Sequence, residues 1–164
     1  MKAGKERHMA TGFAAARGQG TIVNIVAFVA AALIGNALVF ATGSAGGPPP
    51  PGSEGLLPPG PVVGAVWLVQ FALMGVARAW VLRDGGAGEW RGWLPVAIGV
   101  ICLAFPVYTA GLSDPAAGAV GTVVTLVVVV IAMLAIGQSS SRAAWALVPL
   151  ACWLGYVAGV YYLT

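Results

Sequence analysis

The sequence predicts an all-α integral membrane protein, built as a bundle of five transmembrane helices. Of its 164 residues, 59% are hydrophobic and 8% are charged, and the mean hydropathy is +0.91. Soluble domains carry about 25% charged residues, so this chain has too few to cover a surface that faces water. Its long unbroken apolar runs favour helices over barrel strands, because a helix satisfies its own backbone hydrogen bonds in lipid.

The apolar segments follow a basic N-terminal tail, residues 1–20, and together form one domain, residues 21–164. Each is close to the ~20 residues that cross a bilayer. We expect helices at approximately residues 21–40, 61–82, 93–111, 115–137 and 142–163. The first exceeds the usual apolar length of a signal peptide, which favours a retained helix. Cleavage of that helix stays open as the alternative, as does a start at Met1 or Met9.

Proline and capping residues indicate where three of these helices begin. Pro61 occupies the first turn of the second helix, where the missing N–H is tolerated. Asp114 and Pro115 form a cap and first turn for the fourth helix, and Ser141 can cap the fifth. The Gly/Pro-rich loop 43–60 is the one long connection. We expect it to be extended and to cover a cavity between helices.

The distribution of basic residues predicts the orientation. The eight are Lys2, Lys5, Arg7, Arg17, Arg78, Arg83, Arg91 and Arg142. All lie in the tail, in or near the connection between helices two and three, or in that between helices four and five. By the positive-inside rule the N-terminus is cytoplasmic, in what we expect to be a bacterial cytoplasmic membrane. The net charge of +3 gives no indication of a nucleic-acid partner.

No residue pattern in the apolar segments predicts catalysis or metal binding. His8 is the single histidine, and Cys102 and Cys152 are best explained as small buried hydrophobes. Arg78 can extend to the cytoplasmic surface, or it can pair with an anionic ligand. Asn24 and Gln70, on helices one and two, are expected to hydrogen-bond between helices.

Aromatic residues supply the strongest indication of a binding function. Trp67 and Phe71, followed by Met74, recur at helical spacing on one face of the second helix. Helix packing is one explanation of that face. Trp67 and Trp153 lie deep in their segments, where an indole N–H needs a partner and the ring offers a flat apolar surface. Such a lining suits a planar hydrophobic ligand.

Two patches resemble the TspO/MBR family of tryptophan-rich sensory and translocator proteins. The first comprises Pro58-Pro59-Gly60, Val66-Trp67, Phe71 and Met74-Gly75. The second comprises Val148-Pro149-Leu150-Ala151-Cys152-Trp153 and Tyr156. The resemblance implies a five-helix bundle in which Trp67 and Trp153 line the ligand cavity. It also implies an alternative enzymatic role, because some bacterial members are implicated in light-dependent breakdown of protoporphyrin.

The prediction of ligand-binding residues rests on both the family resemblance and the aromatic pattern. They are Trp67, Phe71, Met74, Phe105, Tyr108, Pro149, Trp153 and Tyr156. The sequence also departs from the family pattern. Leu56 replaces a tryptophan before the Pro-Pro pair, and Cys102 and Phe105 replace the polar and tryptophan positions of the third helix. These losses favour binding over catalysis, and we predict no catalytic residue.

The sequence thus predicts a TspO-like membrane protein that binds a tetrapyrrole such as protoporphyrin or haem, in preference to a sterol. It would act as a sensor, carrier or modulator of tetrapyrrole metabolism. One alternative is a structural or partner-binding membrane subunit without a ligand; another is a photo-oxidative porphyrin-degrading enzyme. No cofactor is expected to be required. The expected partners are membrane lipid and the ligand. The small residues Ala151, Gly155 and Gly159 favour close helix contact, with two alternatives left open: packing inside the bundle or a homodimer with a second copy of the chain.

Overall fold

The computed structural model describes residues 2–43, 55–86, 89–107 and 114–163, with side chains from residue 20 onward except at 115 and 163. Every regular element in these residues is helical. The helices are α1 (Lys2–Ala41), α2 (Gly60–Gly85), a 3₁₀ helix (Trp90–Trp93), α3 (Leu94–Pro106), α4 (Pro115–Gly137), α5 (Ser141–Ala146) and α6 (Val148–Leu163).

Four stretches are long and apolar enough to cross a membrane. They are Gly20–Ala41, Gly60–Gly85, Ala116–Gly137 and Ser141–Tyr162, and Trp90–Pro106 forms a shorter apolar helix. The prediction of an all-helical chain with apolar spans is confirmed, and a five-helix bundle is compatible with this arrangement. The end of the predicted third helix and residues 44–54 of the predicted loop lie outside the described residues.

Helix α1 contains both the predicted basic tail and the first apolar span. It begins at Lys2 and continues without interruption to Ala41. The stretch suited to a membrane starts at Gly20. The basic residues before it therefore form the N-terminal part of the same helix. The boundary at residue 20 is a change from basic to apolar sequence within one helix, and no helix ends there.

The predicted capping of the fifth helix is wrong by one residue. Ser140 is the N-cap: its backbone is extended, with φ −152° and ψ 98°, and its hydroxyl accepts a hydrogen bond from the Ala143 N–H. Ser141 already belongs to α5. At α4 the prediction holds, since the Asp114 carboxylate accepts a hydrogen bond from the Ala116 N–H at 2.9 Å.

The predicted fifth helix is also divided into α5 and α6. The division falls at Leu147, whose N–H bonds the Ala144 carbonyl three residues earlier, at 3.0 Å. Pro149 explains the break, because it has no N–H to donate and its ring conflicts with the carbonyl four residues before it. The two helices still form one apolar stretch long enough to cross a membrane.

Helix packing gives the bundle a ring-like order. Helix α1 packs against α2, α2 against α5, α5 and α6 against α4, and α4 against α3, which returns to α1 and α2. The core contains fully buried side chains from most of these helices, among them Met74, Ile98, Ile136, Leu147 and Leu154. Exposed side chains such as Ile22, Leu38, Ile131 and Leu134 make the outer faces apolar as well. That combination suits a protein surrounded by lipid.

Glycine allows α1 and α2 to approach most closely. A Cβ atom placed on Gly75 would lie 2.8 Å from both the carbonyl oxygen of Asn24 and the Cα of Ile25. Those are backbone atoms, which cannot turn aside as a flexible side chain can. The close α1–α2 contact therefore requires glycine at this position.

Two polar networks join the helices at one end of the bundle, which we call the basic end because Arg83, Arg91 and Arg142 lie there. The Asp84 carboxylate accepts hydrogen bonds from the Ser140 hydroxyl at 2.6 Å and from the Arg142 guanidinium. Arg91 donates to Glu89 at 3.1 Å and to Gln138 at 3.0 Å. Exposed ion pairs contribute only about 0.2–1 kcal/mol each, so their main effect is to fix how the helix ends meet.

Candidate functional site

The first part of the candidate site is an aromatic cluster formed by Trp67, Phe71 and Phe105. Trp67 and Phe71 are four residues apart on α2 and therefore share a face. Their ring centroids are 6.3 Å apart, and those of Trp67 and Phe105 on α3 are 5.3 Å apart, both with an interplanar angle of 54°. This tilted arrangement is favourable for aromatic pairs. Trp67 and Phe105 are half-buried, so each retains some accessible surface.

Two of the predicted ligand residues on α2 lie in the hydrophobic core. Met74 has 0% of its surface exposed and Phe71 has 3%. Phe71 also lies beside Gly99 of α3, with its Cε1 3.7 Å from where a Cβ on that glycine would be. Both side chains therefore pack α2 against its neighbours. Their contact with a ligand stays a prediction.

The second part of the site lies on α6, where Trp153 and Tyr156 are in contact. Their ring centroids are 5.7 Å apart, with an interplanar angle of 39°. The Tyr156 hydroxyl donates a hydrogen bond to the backbone carbonyl of Leu56. Leu56 lies two residues before the Pro58-Pro59-Gly60 segment that leads into α2, so this bond ties α6 to the approach to α2. We call this end of the bundle the Leu56 end.

Helices α2 and α6 contact each other mainly through their neighbours. Helix α2 packs closely against α5, which leads directly into α6, whereas α6 itself packs chiefly against α4. At 1.5 Å per residue, Trp67 lies about 10 Å along α2 from its first residue, Gly60. Trp153 lies about 14 Å before Tyr162 on α6 by the same measure. The two tryptophans thus lie about 10 Å and about 14 Å from the respective helix ends by this measure.

Two buried polar atoms in this half of the bundle have no hydrogen-bond partner among the described residues. They are the indole nitrogen of Trp153, Nε1, and the side-chain carbonyl oxygen of Gln70, Oε1. Gln70 is 5% exposed. Leaving such a group unpaired costs about 1–3 kcal/mol, which a ligand with a matching polar atom would recover. Trp153 Nε1 is thus an unpaired donor within the second aromatic cluster, and Gln70 lies three residues after Trp67 on α2.

The structure brings together some predicted site residues and leaves others apart. Trp67 meets Phe105, and Trp153 meets Tyr156, but no ring contact between described residues joins the two clusters. Pro149 is exposed and lies one turn before Trp153 on α6. Tyr108 lies outside the described residues.

Sequence reasoning missed one participant and misjudged another. The Leu56 carbonyl is a backbone group, and no side-chain pattern could have indicated it. Gln70 was expected to bond between helices, yet its Oε1 is unpartnered within the described part of the chain. Asn24 does make such a bond, since its Oδ1 accepts from Arg78 of α2.

Comparison with known proteins agrees with this architecture. The model of the TspO/MBR family matches residues 53–163, more than half of the chain. The matched region starts just before α2 and includes both aromatic clusters, while α1 precedes it. No curated protein matches the sequence. On the extent of the family match, this chain belongs to the TspO/MBR family.

Proposed function

We propose that this protein binds a planar hydrophobic ligand, a tetrapyrrole such as protoporphyrin or haem, between the aromatic clusters of α2 and α6. It would act in the membrane as a sensor, carrier or modulator of tetrapyrrole metabolism. The observation that carries the proposal is the buried Trp153 indole N–H, which has no acceptor within the described residues. A bound ligand would supply that acceptor while its flat face contacts the rings.

The geometry of the Leu56 end supports a ligand of this shape. Trp67 and Trp153 are both half-buried, and the helices that carry them pack chiefly against other helices, not against each other. The Tyr156–Leu56 hydrogen bond links α6 to the segment that precedes α2. A tetrapyrrole has a broad apolar face and carboxylate groups, so it can contact both rings and accept from an indole N–H.

Titration of the purified protein with protoporphyrin, haem and a sterol tests the proposal. We expect saturable binding of the tetrapyrroles, with quenching of tryptophan fluorescence, and weaker binding of the sterol. A flat sterol lacks the π-system that stacks on indole. Failure of all three ligands to bind the folded protein would favour the structural or partner-binding alternative.

The outer face of α6 favours a second copy as a partner. A Cβ on Gly155 or Gly159 would have no heavy atom within 4 Å, so these two positions of the ridge are open within the described part of the bundle, whereas Ala151 packs against the core. Small residues allow helices to approach closely in lipid. We propose that two copies meet along this ridge as a homodimer.

We also propose that the basic end faces the cytoplasm. Reporter fusions at the N-terminus, Gly85 and Ser140 should then report a cytoplasmic location, and fusions at Gly52 and the C-terminus an external one. The reason is the clustering of arginines at one end of the bundle, which the positive-inside rule places in the cytoplasm. A cytoplasmic Gly52 fusion would reverse the orientation.

A further inference from the structure

We infer that Arg78, with Asn24 and Trp93, forms a binding site for the phosphate group of an anionic membrane lipid. The site lies toward the basic end of the bundle, where α1, α2 and the 3₁₀ helix meet. It is separate from the aromatic residues of the proposed ligand site and does not depend on them.

The charge of Arg78 is uncompensated within the described part of the chain. Its Nη1 donates to the neutral amide oxygen of Asn24, and its Nε is buried without an acceptor. By contrast, Arg91 pairs with Glu89 and Arg142 pairs with Asp84. An arginine inside a membrane segment is costly unless its charge is met by a partner. Acidic side chains therefore neutralise Arg91 and Arg142 at this end of the bundle, whereas no described acidic side chain pairs with Arg78.

The guanidinium lies beside an exposed aromatic ring at the outer surface of the bundle. Its Cζ lies 5.7 Å from the centroid of the Trp93 ring, and Trp93 is 66% exposed on the outside of the bundle. Arg78 is about 10 Å from the last residue of α2, at 1.5 Å per residue, a distance from which an arginine side chain can reach toward the headgroups. Tryptophan is characteristic of the same interfacial depth.

The donors that remain on Arg78 match a phosphate group. A guanidinium carries five N–H donors in a planar fork, and Asn24 accepts from one of its nitrogens. Asn24 is itself held in place, since its Nδ2 donates to the Gly20 carbonyl at 2.8 Å. A phosphate can accept two parallel bonds from such a fork, and the arginines at this end would attract anionic headgroups.

A carboxylate of the proposed tetrapyrrole is a less suitable partner for Arg78. Arg78 follows Trp67 by eleven residues, which is about 16 Å along α2. Met74, with no exposed surface, lies on the same face between them. The packed core therefore separates this guanidinium from the aromatic surfaces, and the lipid-facing side is the open approach.

The test measures phosphatidylglycerol binding by the full-length chain, with native mass spectrometry from mixed phosphatidylcholine and phosphatidylglycerol nanodiscs. We expect preferential retention of phosphatidylglycerol by the parent and a loss of affinity of about tenfold or more in Arg78→Gln, since charge-assisted hydrogen bonds are lost. Arg83→Gln is the matched control, because Arg83 is exposed on the same helix near the same end, and it should lose clearly less affinity than Arg78→Gln since it removes only long-range attraction. Equal losses in the two variants would overturn the site.

Two further measurements complete the test. Arg78→Lys keeps the charge but not the fork, so it should fold and bind phosphatidylglycerol more weakly than the parent. Parent-like binding by Arg78→Lys and Arg78→Gln together would also overturn the proposal. Inorganic phosphate added to phosphatidylcholine nanodiscs should not stabilise the parent against heat. If it does so as well as phosphatidylglycerol, the site recognises a free anion and the lipid assignment is wrong.

Discussion

Replacing Gly75 with alanine is expected to force α1 away from α2 and to destabilise the bundle by about 1–3 kcal/mol, the usual cost of overpacking a close contact. The added Cβ would lie 2.8 Å from backbone atoms of Asn24 and Ile25, so no side-chain rotation can relieve it. The α1–α2 contact is the most extensive between any two helices of the bundle. The measurement is thermal unfolding of the purified protein in detergent.

Gly64→Ala is the matched control for this prediction. Gly64 belongs to the same helix, α2, and a Cβ placed on it meets no heavy atom within 4 Å. The same methyl group should therefore leave the melting temperature unchanged or raise it slightly, because alanine favours a helix over glycine. Equal melting temperatures for Gly75→Ala and the parent would show that α1 and α2 are not in the close contact described.

Local sequence patterns predicted the helices better than their junctions. Asp114 and Pro61 occupy positions that follow directly from capping and backbone chemistry. The break between α5 and α6 follows from Pro149, but a proline within an apolar run can also be accommodated without dividing a helix. The N-cap of α5 is Ser140, the middle residue of a run of three serines. Sequence alone does not distinguish which of three consecutive serines caps the helix.

The candidate site was predictable where it depends on helical spacing and not where it depends on tertiary contacts. Trp67 and Phe71 share a face because they are four residues apart. The contact of Trp67 with Phe105 joins two helices, and the expectation for Phe105 combined the aromatic pattern with the resemblance to the family. The Tyr156–Leu56 bond joins residues 100 positions apart through a backbone carbonyl, which leaves no pattern in the sequence.

Replacing Trp153 is expected to have the largest effect on ligand binding. Trp153→Leu removes the indole hydrogen bond together with a ring contact of about 0.5–1.5 kcal/mol, and the ring contact alone is equivalent to a two- to twelve-fold loss of protoporphyrin affinity. Trp153→Phe keeps an aromatic face and loses only the indole N–H, so its loss should be smaller. Trp145→Leu is the control, because Trp145 is 70% exposed on α5, away from the Leu56 end. A loss of affinity as large in Trp145→Leu would contradict the assignment to Trp153.

The dissociation constant of protoporphyrin for the double variant Trp67→Leu/Trp153→Leu tests most directly whether one ligand lies between α2 and α6. If both rings contact the ligand, the double variant should lose about the product of the two single losses, at least roughly fourfold, while it remains folded. If the rings serve only to pack the bundle, the variant should melt at a lower temperature and bind protoporphyrin as the parent does. Parent-like affinity in a folded double variant would contradict the proposed site.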